Sequence, residues 1–338
     1  MYLRRALLAL ALVLIALPAH AQTLDTVRQR GHLICGATDQ MPGFAQKSES
    51  GLWSGFDVDF CRAVAAAVFG NPDLVEFRPY SGTARFAALQ AGSVDLLARN
   101  AAWTLNRDTS FGAEFAGVSF FDGLAFMAPD TIDVVSAFEL DNVTVCLRDD
   151  PDERKAVEAF FAETKSTYAE LRYEERADLA IAYANKRCDV MVAPARWLNA
   201  YRRMADPNGA EPGRILPERL SKLPFGPVVR QGDDQWFKIV RWTLYALIDA
   251  EELGVTSLNL EPMQSTRNPA IRRFLGLDGD YGAPLGLDPK WMQTVIHAVG
   301  NYGEIYARNF GAQTGAALPR GSNSLWLKGG LLYAPPIR

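Results

Sequence analysis

Short apolar runs alternate with amphipathic segments along the first third of this chain. Residues 94–98 form a short apolar run that predicts a buried strand, and residues 32–36 and 75–77 predict two further strands. The segment that follows Asp57, a suitable N-cap, has the period of a helix. Its apolar stripe consists of Val58, Cys61, Val64, Ala65 and Val68. Residues 81–90 predict a second helix, so the order of elements predicts a parallel or mixed sheet flanked by helices.

The same alternation continues in the rest of the chain. Residues 120–127, 143–147 and 187–192 predict strands. Asp150, Pro151 and Glu153 have the spacing of an N-cap, an N1 proline and the N3 acid of a capping box.

Three further segments complete the pattern. Residues 202–219 are polar and rich in proline and glycine, which predicts a surface loop. Residues 236–250 and 291–306 each have the period of one helix, and residues 324–338 predict a tail that lies across the surface.

The amino-terminal residues have the three parts of a secretory signal peptide. Arg4 and Arg5 precede an apolar run over residues 6–17, and Ala19-His20-Ala21 is a small-residue cleavage site. We therefore expect residues 1–21 to be removed and the protein to be exported. No later stretch approaches the roughly 20 apolar residues that a membrane helix needs.

Length and charge narrow the class of protein. Removal of 21 from 338 residues leaves 317, more than one hydrophobic core usually supports, so we expect two lobes. The net charge is −4, and loss of Arg4 and Arg5 leaves 33 basic and 39 acidic residues, or −6. A modestly acidic chain without a basic stripe is a poor binder of nucleic acid.

Several long segments resemble the periplasmic amino-acid-binding proteins of ABC transporters, solute-binding protein family 3. The segments that carry the resemblance are Arg99-Asn100, Trp103-Thr104, Arg107-Asp108, Gly117-Val118, Asp122-Gly123 and residues 55–70, 226–236 and 299–305. Together they extend over residues 24–338.

The resemblance implies an α/β fold, a type II periplasmic-binding-protein clamshell in which each lobe is a mixed sheet flanked by helices. Lobe 1 would comprise residues 22–128 and 229–338, and lobe 2 residues 129–228, with hinge strands at 124–128 and 228–231. The ligand would be an amino acid or related small carboxylate held between the lobes. The implied setting is a periplasmic monomer that delivers its ligand to an inner-membrane ABC permease and needs no cofactor.

Four cysteines remain in an exported chain, and an even number favours disulfides. Three pairings are possible. We favour Cys35–Cys61 and Cys146–Cys188, because each bond would then lie within one lobe. Four buried thiols are the alternative, and a metal site is disfavoured because no ligand-like spacing is present.

The predicted ligand site centres on Arg107, which closely follows the carboxyl end of the strand at 94–98. Ligands of open α/β sheets bind at such edges, and a guanidinium offers two parallel donors to a carboxylate. The alternative is a surface arginine that caps a helix or pairs with Asp108. Asn100, Trp103, Phe44, Asp39 and Arg148 complete the predicted set; Phe44 is either an aromatic face for the ligand or a core residue at the edge of lobe 1.

The chain departs from the resembling family at positions that usually bind the amino acid. Ala101 and Ala102 replace hydroxyl residues, residues 151–153 replace a run of threonines, and Pro194 replaces the aspartate that binds the ammonium group. Three hypotheses follow. The chain binds another small anion through Arg107, binds amino acids through relocated contacts at Arg148, Asp149 or Arg196, or acts as a sensor without transport.

An enzyme of the same fold, such as a dehydratase of small carboxylates, is the alternative class. It would need an acid or base in the cleft, and Asp39, Asp149 and Asp152 are the available carboxylates. Solvated or capping roles suit them better, and the sequence has no nucleophile elbow, zinc motif or phosphate-binding loop. We therefore expect binding without catalysis.

Overall fold

The computed structural model describes residues 22–80, 84–205, 213–314 and 317–338. The predicted signal peptide, residues 1–21, lies outside the described residues. None of the helices in the described ranges has the length and apolarity of a membrane span.

The strands of the described residues are β1 (Leu33–Ala37), β2 (Gln40–Met41), β3 (Ala45–Lys47), β4 (Trp53–Ser54), β5 (Val75–Pro79), β6 (Leu96–Leu97), β7 (Ala113–Phe115), β8 (Phe120–Asp122), β9 (Leu124–Ala128), β10 (Val143–Arg148), β11 (Tyr168–Tyr173), β12 (Val190–Pro194), β13 (Arg214–Ile215), β14 (Leu223–Phe225) and β15 (Val228–Arg230). They form two five-stranded sheets, a two-stranded sheet and a small meander of β2, β3 and β4.

The helices are α1 (Thr23–Arg30), α2 (Phe56–Phe69), α3 (Ala84–Gln90), α4 (Leu105–Ser110), α5 (Pro151–Thr164), α6 (Arg176–Ala184), α7 (Ala195–Ala205), α8 (Asp234–Glu252), α9 (Leu260–Met263), α10 (Pro269–Phe274), α11 (Trp291–Val299) and α12 (Tyr302–Phe310). Short 3-10 turns lie at Ala137–Glu139, Ala283–Leu285, Ala312–Thr314, Gly321–Asn323 and Trp326–Lys328.

Each five-stranded sheet is the centre of one lobe. The first has the order β5-β1-β6-β15-β7, with β1 parallel to β5 and β6 and with β15 antiparallel to β6 and β7. The second has the order β11-β10-β12-β9-β13, with β10 parallel to β11 and β12. The predicted α/β fold of two lobes, each with a mixed sheet and helices, is confirmed.

Helix α8 packs lobe 1 together, as its apolar stripe predicts. It contacts α2, α11 and α12, and the indole of Trp236 donates to the Asp95 carbonyl at 2.9 Å. Both predicted disulfides are present: Cys35–Cys61 joins β1 to α2, and Cys146–Cys188 joins β10 to the segment before β12.

The connection between the lobes differs from the predicted hinge strands at 124–128 and 228–231. Strand β9 pairs with β12 and belongs to lobe 2, whereas β15 belongs to the sheet of lobe 1. The two lobes are joined by the two-stranded sheet of β8 and β14, which pairs Phe120 with Phe225. The crossings therefore fall near residues 122–123 and 222–223, before the predicted boundaries at 128/129 and 228/229.

Strand β8, the first strand of this two-stranded hinge sheet, is hydrogen-bonded to lobe 1 up to Phe121. The hydroxyl of Tyr302 donates to the Ser119 carbonyl at 2.9 Å. The side-chain amide of Asn323 accepts from the Phe121 N–H at 2.7 Å and donates to its carbonyl at 2.9 Å. Asn323 thus satisfies the free edge of β8 as a neighbouring strand would.

The next residue of β8 is held to lobe 2. Arg196, in the first turn of α7, donates through Nη1 to the Asp122 carboxylate at 2.6 Å. The carbonyl of Gly123 accepts from the N–H of Ala195 at 2.9 Å. The contacts of β8 therefore change from lobe 1 to lobe 2 between Phe121 and Asp122, next to the crossing near residues 122–123.

Three predicted elements need correction. Residues 202–219 were expected to be a loop, but α7 extends to Ala205 and β13 begins at Arg214, while residues 206–212 lie outside the described residues. The single helix at 291–306 is two helices, because Gly300 has a φ of 79° and Asn301 caps the second helix. The strand at 120–127 is divided at Gly123 into β8 and β9.

Candidate ligand-binding site

The loop after β6 is fixed by a buried carboxylate of lobe 1. Asn100 has a φ of 45°, and its backbone N–H and Nδ2 both donate to Oδ2 of Asp57, at 3.3 and 3.2 Å. Asp57 is not the N-cap of α2 as the sequence suggested, because Gly55 occupies that position. It lies in the first turn, is buried, and holds Asn100 in a left-handed conformation that asparagine tolerates.

The charge of Asp57 depends on pH near neutrality. Burial raises the pKa of this carboxyl to about 7, against the opposing effects of the Asn100 hydrogen bond and the positive charge of Arg99. A proton on Asp57 removes the negative charge beside Arg99.

Three arginines lie near one another at this loop. We call Arg85, Arg99 and Arg107 the lobe-1 arginine cluster. Burial, with the nearby charges of Arg99 and Arg107, lowers the pKa of Arg85 to about 10. Burial also lowers the pKa of Arg99, against the charges of Asp57 and Asp39. The buried Nε of Arg99 has no hydrogen-bond partner among the described residues.

Arg107 is positioned by its own helix. Thr104 is the N-cap of α4 and accepts from the Arg107 N–H at 3.4 Å, and Nη1 of Arg107 donates to the Ala102 carbonyl at 3.1 Å. Burial lowers the pKa of the guanidinium. Within the described ranges Arg107 forms no ion pair, so the alternative pairing with Asp108 is not present.

The remaining predicted residues of lobe 1 have different surroundings. Phe44 is 1% exposed and its ring lies 4.9 Å from that of Phe120, which is the core role and not the ligand-facing one. Trp103 stacks on Phe115 at 5.3 Å. Asp39 lies just after β1 and close enough to Arg99 to affect its pKa.

The facing part of lobe 2 consists of charges that neutralise each other. We call Arg148, Asp150, Glu153 and Arg176 the lobe-2 ion-pair cluster. Asp150 caps α5 as predicted, accepting from the N–H groups of residues 152 and 153, and pairs with Arg148.

Glu153 does not complete the predicted capping box. Its Oε1 pairs with Arg176 and lies 3.6 Å from Nε of Arg148.

Both groups of charges lie next to the hinge. The Trp103 N–H donates to the Pro224 carbonyl at 2.8 Å, which ties the lobe-1 loop to β14. On the other side, the guanidinium of Arg196 lies over the ring of Phe225 at 4.9 Å and, as noted, pairs with β8. The charges of Arg148 and Arg196 contribute to the lowered pKa of Arg176, after the larger effect of burial. Each cluster therefore has a neighbouring residue that contacts the β8–β14 hinge.

The departures from the resembling family have structural consequences. Ala101 and Ala102 are 0% and 5% exposed, and Ala102 forms an isolated bridge with Phe225. Pro194 ends β12 and pairs with Leu124 of the neighbouring strand. These positions contribute backbone to the hinge region but no polar side chain.

Sequence reasoning left out four of these charged residues: Arg85, Arg99, Glu153 and Arg176. Arg99 was inside a quoted motif, so its place after the strand at 94–98 was an available signal. Arg176 and Glu153 are 23 residues apart, and no local pattern connects them.

Comparison with known proteins agrees with this architecture. The model of the bacterial extracellular solute-binding proteins, family 3, matches residues 33–256. The chain belongs to that family. The segment after residue 256, which includes Asn323, lies beyond the matched part.

Two relatives of this family-3 chain are similar over nearly its whole length. It is 46% identical over 326 residues to a glutamate/glutamine/aspartate/asparagine-binding protein of Rhodobacter capsulatus, covering 96% of both chains. It is 44% identical over 322 residues to the general L-amino acid-binding periplasmic protein of Rhizobium johnstonii, covering 95% of this chain and 94% of that one.

A solved structure is also similar. The ABC transporter periplasmic binding protein from Brucella ovis, with glutathione bound, has 43% sequence identity and a TM-score of 0.78. The match covers 94% of this family-3 chain and 100% of the Brucella chain.

Proposed function

We propose that this chain is the solute-binding component of an ABC-type amino-acid uptake system. It captures an amino acid or related small carboxylate between its lobes in the periplasm and delivers it to an inner-membrane permease. The observation that carries the proposal is the lobe-1 arginine cluster, in which the buried Arg85 and the half-buried Arg99 and Arg107 lie close to one another beside the hinge. A carboxylate placed there would offset their mutual repulsion and accept charge-assisted hydrogen bonds.

The relatives support the same class of ligand. Proteins 44–46% identical to this chain are named as amino-acid-binding proteins, and the solved relative holds glutathione, which carries two carboxylates. Binding and release require no covalent step. Incubation of the protein with amino acids and small dicarboxylates, followed by product analysis, should return each compound unchanged.

A thermal-shift screen of the oxidised, signal-free protein tests the proposal. The panel contains the proteinogenic L-amino acids, small dicarboxylates and glutathione. At 100 times its dissociation constant a ligand stabilises the folded state by about 2.7 kcal/mol, which is a readily measured shift. Amino-acid amides, which lack the α-carboxylate, are the matched controls and should give no shift. No response to any member of the panel would overturn the proposal.

A further inference from the structure

The lobe-2 ion-pair cluster contains one acceptor that its own arginines do not use. Glu153 is 6% exposed, and its Oε1 pairs with Arg176. Its other oxygen, Oε2, is buried and has no hydrogen-bond partner among the described residues. Nε of Arg148 and Nη1 of Arg176 are also buried without a partner among the described residues, and neither donates to Oε2. A buried carboxylate oxygen without a donor is costly, so Oε2 remains an acceptor for a donor from outside the cluster.

The position of Glu153 relates it to the ligand. It lies in the first turn of α5, at the carboxyl end of β10, and that edge of a sheet is where α/β proteins bind ligands. Its partner Arg176 is near Arg196, which pairs with Asp122 on the hinge strand β8. The cluster therefore lies near the same two-stranded hinge that the loop of Arg107 contacts through Trp103.

The charges of the two clusters complement a zwitterion. In lobe 1 Arg107 forms no ion pair among the described residues, whereas the positive charges of Arg148 and Arg176 in lobe 2 are offset by Asp150 and Glu153. A carboxylate is favoured beside the first cluster. An ammonium group is favoured at a carboxylate oxygen of the second, because it donates three hydrogen bonds and accepts none.

We propose that Oε2 of Glu153 binds the α-ammonium group of an amino-acid ligand, at a position different from that of the aspartate replaced by Pro194. This inference rests on the proposed function. Arg176 acts as a positioning residue, since it holds Oε1 and leaves Oε2 as the acceptor.

The test compares an amino acid with the same molecule lacking its amino group. L-Glutamate and glutarate are titrated into the wild type and Glu153→Gln by calorimetry. The wild type should bind L-glutamate at least about tenfold more tightly than glutarate, the value expected for one charge-assisted hydrogen bond. In Glu153→Gln that ratio should fall close to one, with glutarate affinity changed much less.

Two further variants keep the result interpretable. Asp152→Asn removes an exposed carboxylate from the same helical turn and should retain the wild-type ratio. Glu153→Asp keeps the charge beside Arg176 but shortens the side chain, and it decides the question if Glu153→Gln lacks a cooperative melting transition. A lowered ratio in Glu153→Asp supports the assignment.

The failure of this inference can be distinguished from that of the proposed function. If the wild type binds L-glutamate but Glu153→Gln, folded as the wild type, retains the ratio, the assignment of Glu153 is wrong while amino-acid binding stands. Equal wild-type affinity for L-glutamate and glutarate also overturns the assignment. If the wild type binds no amino acid, the proposed function itself fails.

Discussion

The lobe-1 arginine cluster and the lobe-2 ion-pair cluster both contain arginine guanidinium groups, but the charges around these groups differ. In lobe 1, Arg85 has a pKa lowered to about 10 by burial and by two neighbouring arginines, and the adjacent Asp57 is uncharged in part near neutral pH. In lobe 2, Arg148 and Arg176 each pair with a carboxylate of α5. Arg107 of lobe 1 therefore lies outside any ion pair of the described residues, whereas both arginines of lobe 2 are paired and Oε2 of Glu153 has no donor there.

This difference is the basis of our proposal that the chain binds a carboxylate although it lacks the family's lobe-2 motif. The first turn of α5 carries Asp152 and Glu153 where threonines would have met a carboxylate, and these acids would repel one. Under the proposed function the carboxylate binds to lobe 1, where Arg99 and Arg107 lie. Lobe 2 then recognises the other end of the ligand.

The largest effect is expected from the two disulfides, one in each lobe. Loss of either should lower the free energy of unfolding by about 3–4 kcal/mol, because each closes a loop of 26 or 42 residues in the unfolded chain. Paired Cys→Ala variants and chemical denaturation measure this. Cys146 lies two residues before Arg148 of the lobe-2 ion-pair cluster. Removal of the Cys146–Cys188 bond should therefore weaken ligand binding more than removal of Cys35–Cys61. Equal loss of affinity in both variants would contradict the distinction.

A second prediction concerns the pH dependence that Asp57 gives to lobe 1. The pKa of Asp57 is about 7 in the folded state, above the ordinary aspartate pKa of 3.8, so between these values the folded state holds a proton that the unfolded state has released. Stability should therefore fall as pH rises through this window and level off above pH 7. From pH 5 to 7 the change is about 2 kcal/mol, at about 1.4 kcal/mol per unit for one proton.

Asp57→Asn is the matched variant for this prediction. It retains an acceptor for Asn100 but cannot titrate. The difference between wild-type and Asp57→Asn stability, measured by denaturation at several pH values, isolates Asp57 from Asp249, whose pKa is also raised to about 7 by burial. A constant difference from pH 5 to 8 would exclude this role.

The third prediction tests the hinge that separates the two clusters. Asn323→Ala leaves the N–H and carbonyl of Phe121 without their partners and should cost about 1–3 kcal/mol of stability. Asn185→Ala, at an exposed asparagine, should change stability by less than about 0.5 kcal/mol. If Asn323→Ala is as stable as the control, Asn323 does not brace the hinge.

The smallest effect is expected at the outer acids of lobe 2. Asp149 pairs with Arg154 at 3.7 Å, and both side chains are well exposed. Asp149→Asn should therefore change stability and ligand affinity by less than about 1 kcal/mol. Denaturation and calorimetry measure the stability and the ligand affinity of this variant. Unchanged affinity would show that loss of a negative charge elsewhere in lobe 2 does not reproduce the effect expected for Glu153.

Local signals in the sequence predicted much of this fold. Short segments rich in apolar residues correctly predicted the strands β1, β6 and β10. The order of Asp150 and Pro151 correctly predicted the start of α5. The two disulfides followed from keeping each bond within a lobe. The hinge was misplaced because the pairing of β9 with β12 depends on contacts over some 65 residues, which no local pattern records.

The site was predicted less completely than the fold. The position of Arg107 and Asn100 after a strand could be predicted from the sequence, and their role as ligand residues stays a prediction. Phe44 was assigned to the ligand because its loop resembles a binding loop, but four other phenylalanines surround it in the core. The partnership of Glu153 with Arg176 arises only when α5 and α6 are brought together.

The central claim is that lobe 1 binds the ligand carboxylate through its arginines, and calorimetric titration of Arg107→Ala with L-glutamate tests it most directly. Arg154→Ala, at a partly exposed arginine of lobe 2 that pairs only with Asp149 at 3.7 Å among the described residues, is the control. Affinity should fall about 10- to 150-fold in Arg107→Ala, the value of one charge-assisted contact, and remain close to wild type in Arg154→Ala. Wild-type affinity in a folded Arg107→Ala would contradict the account.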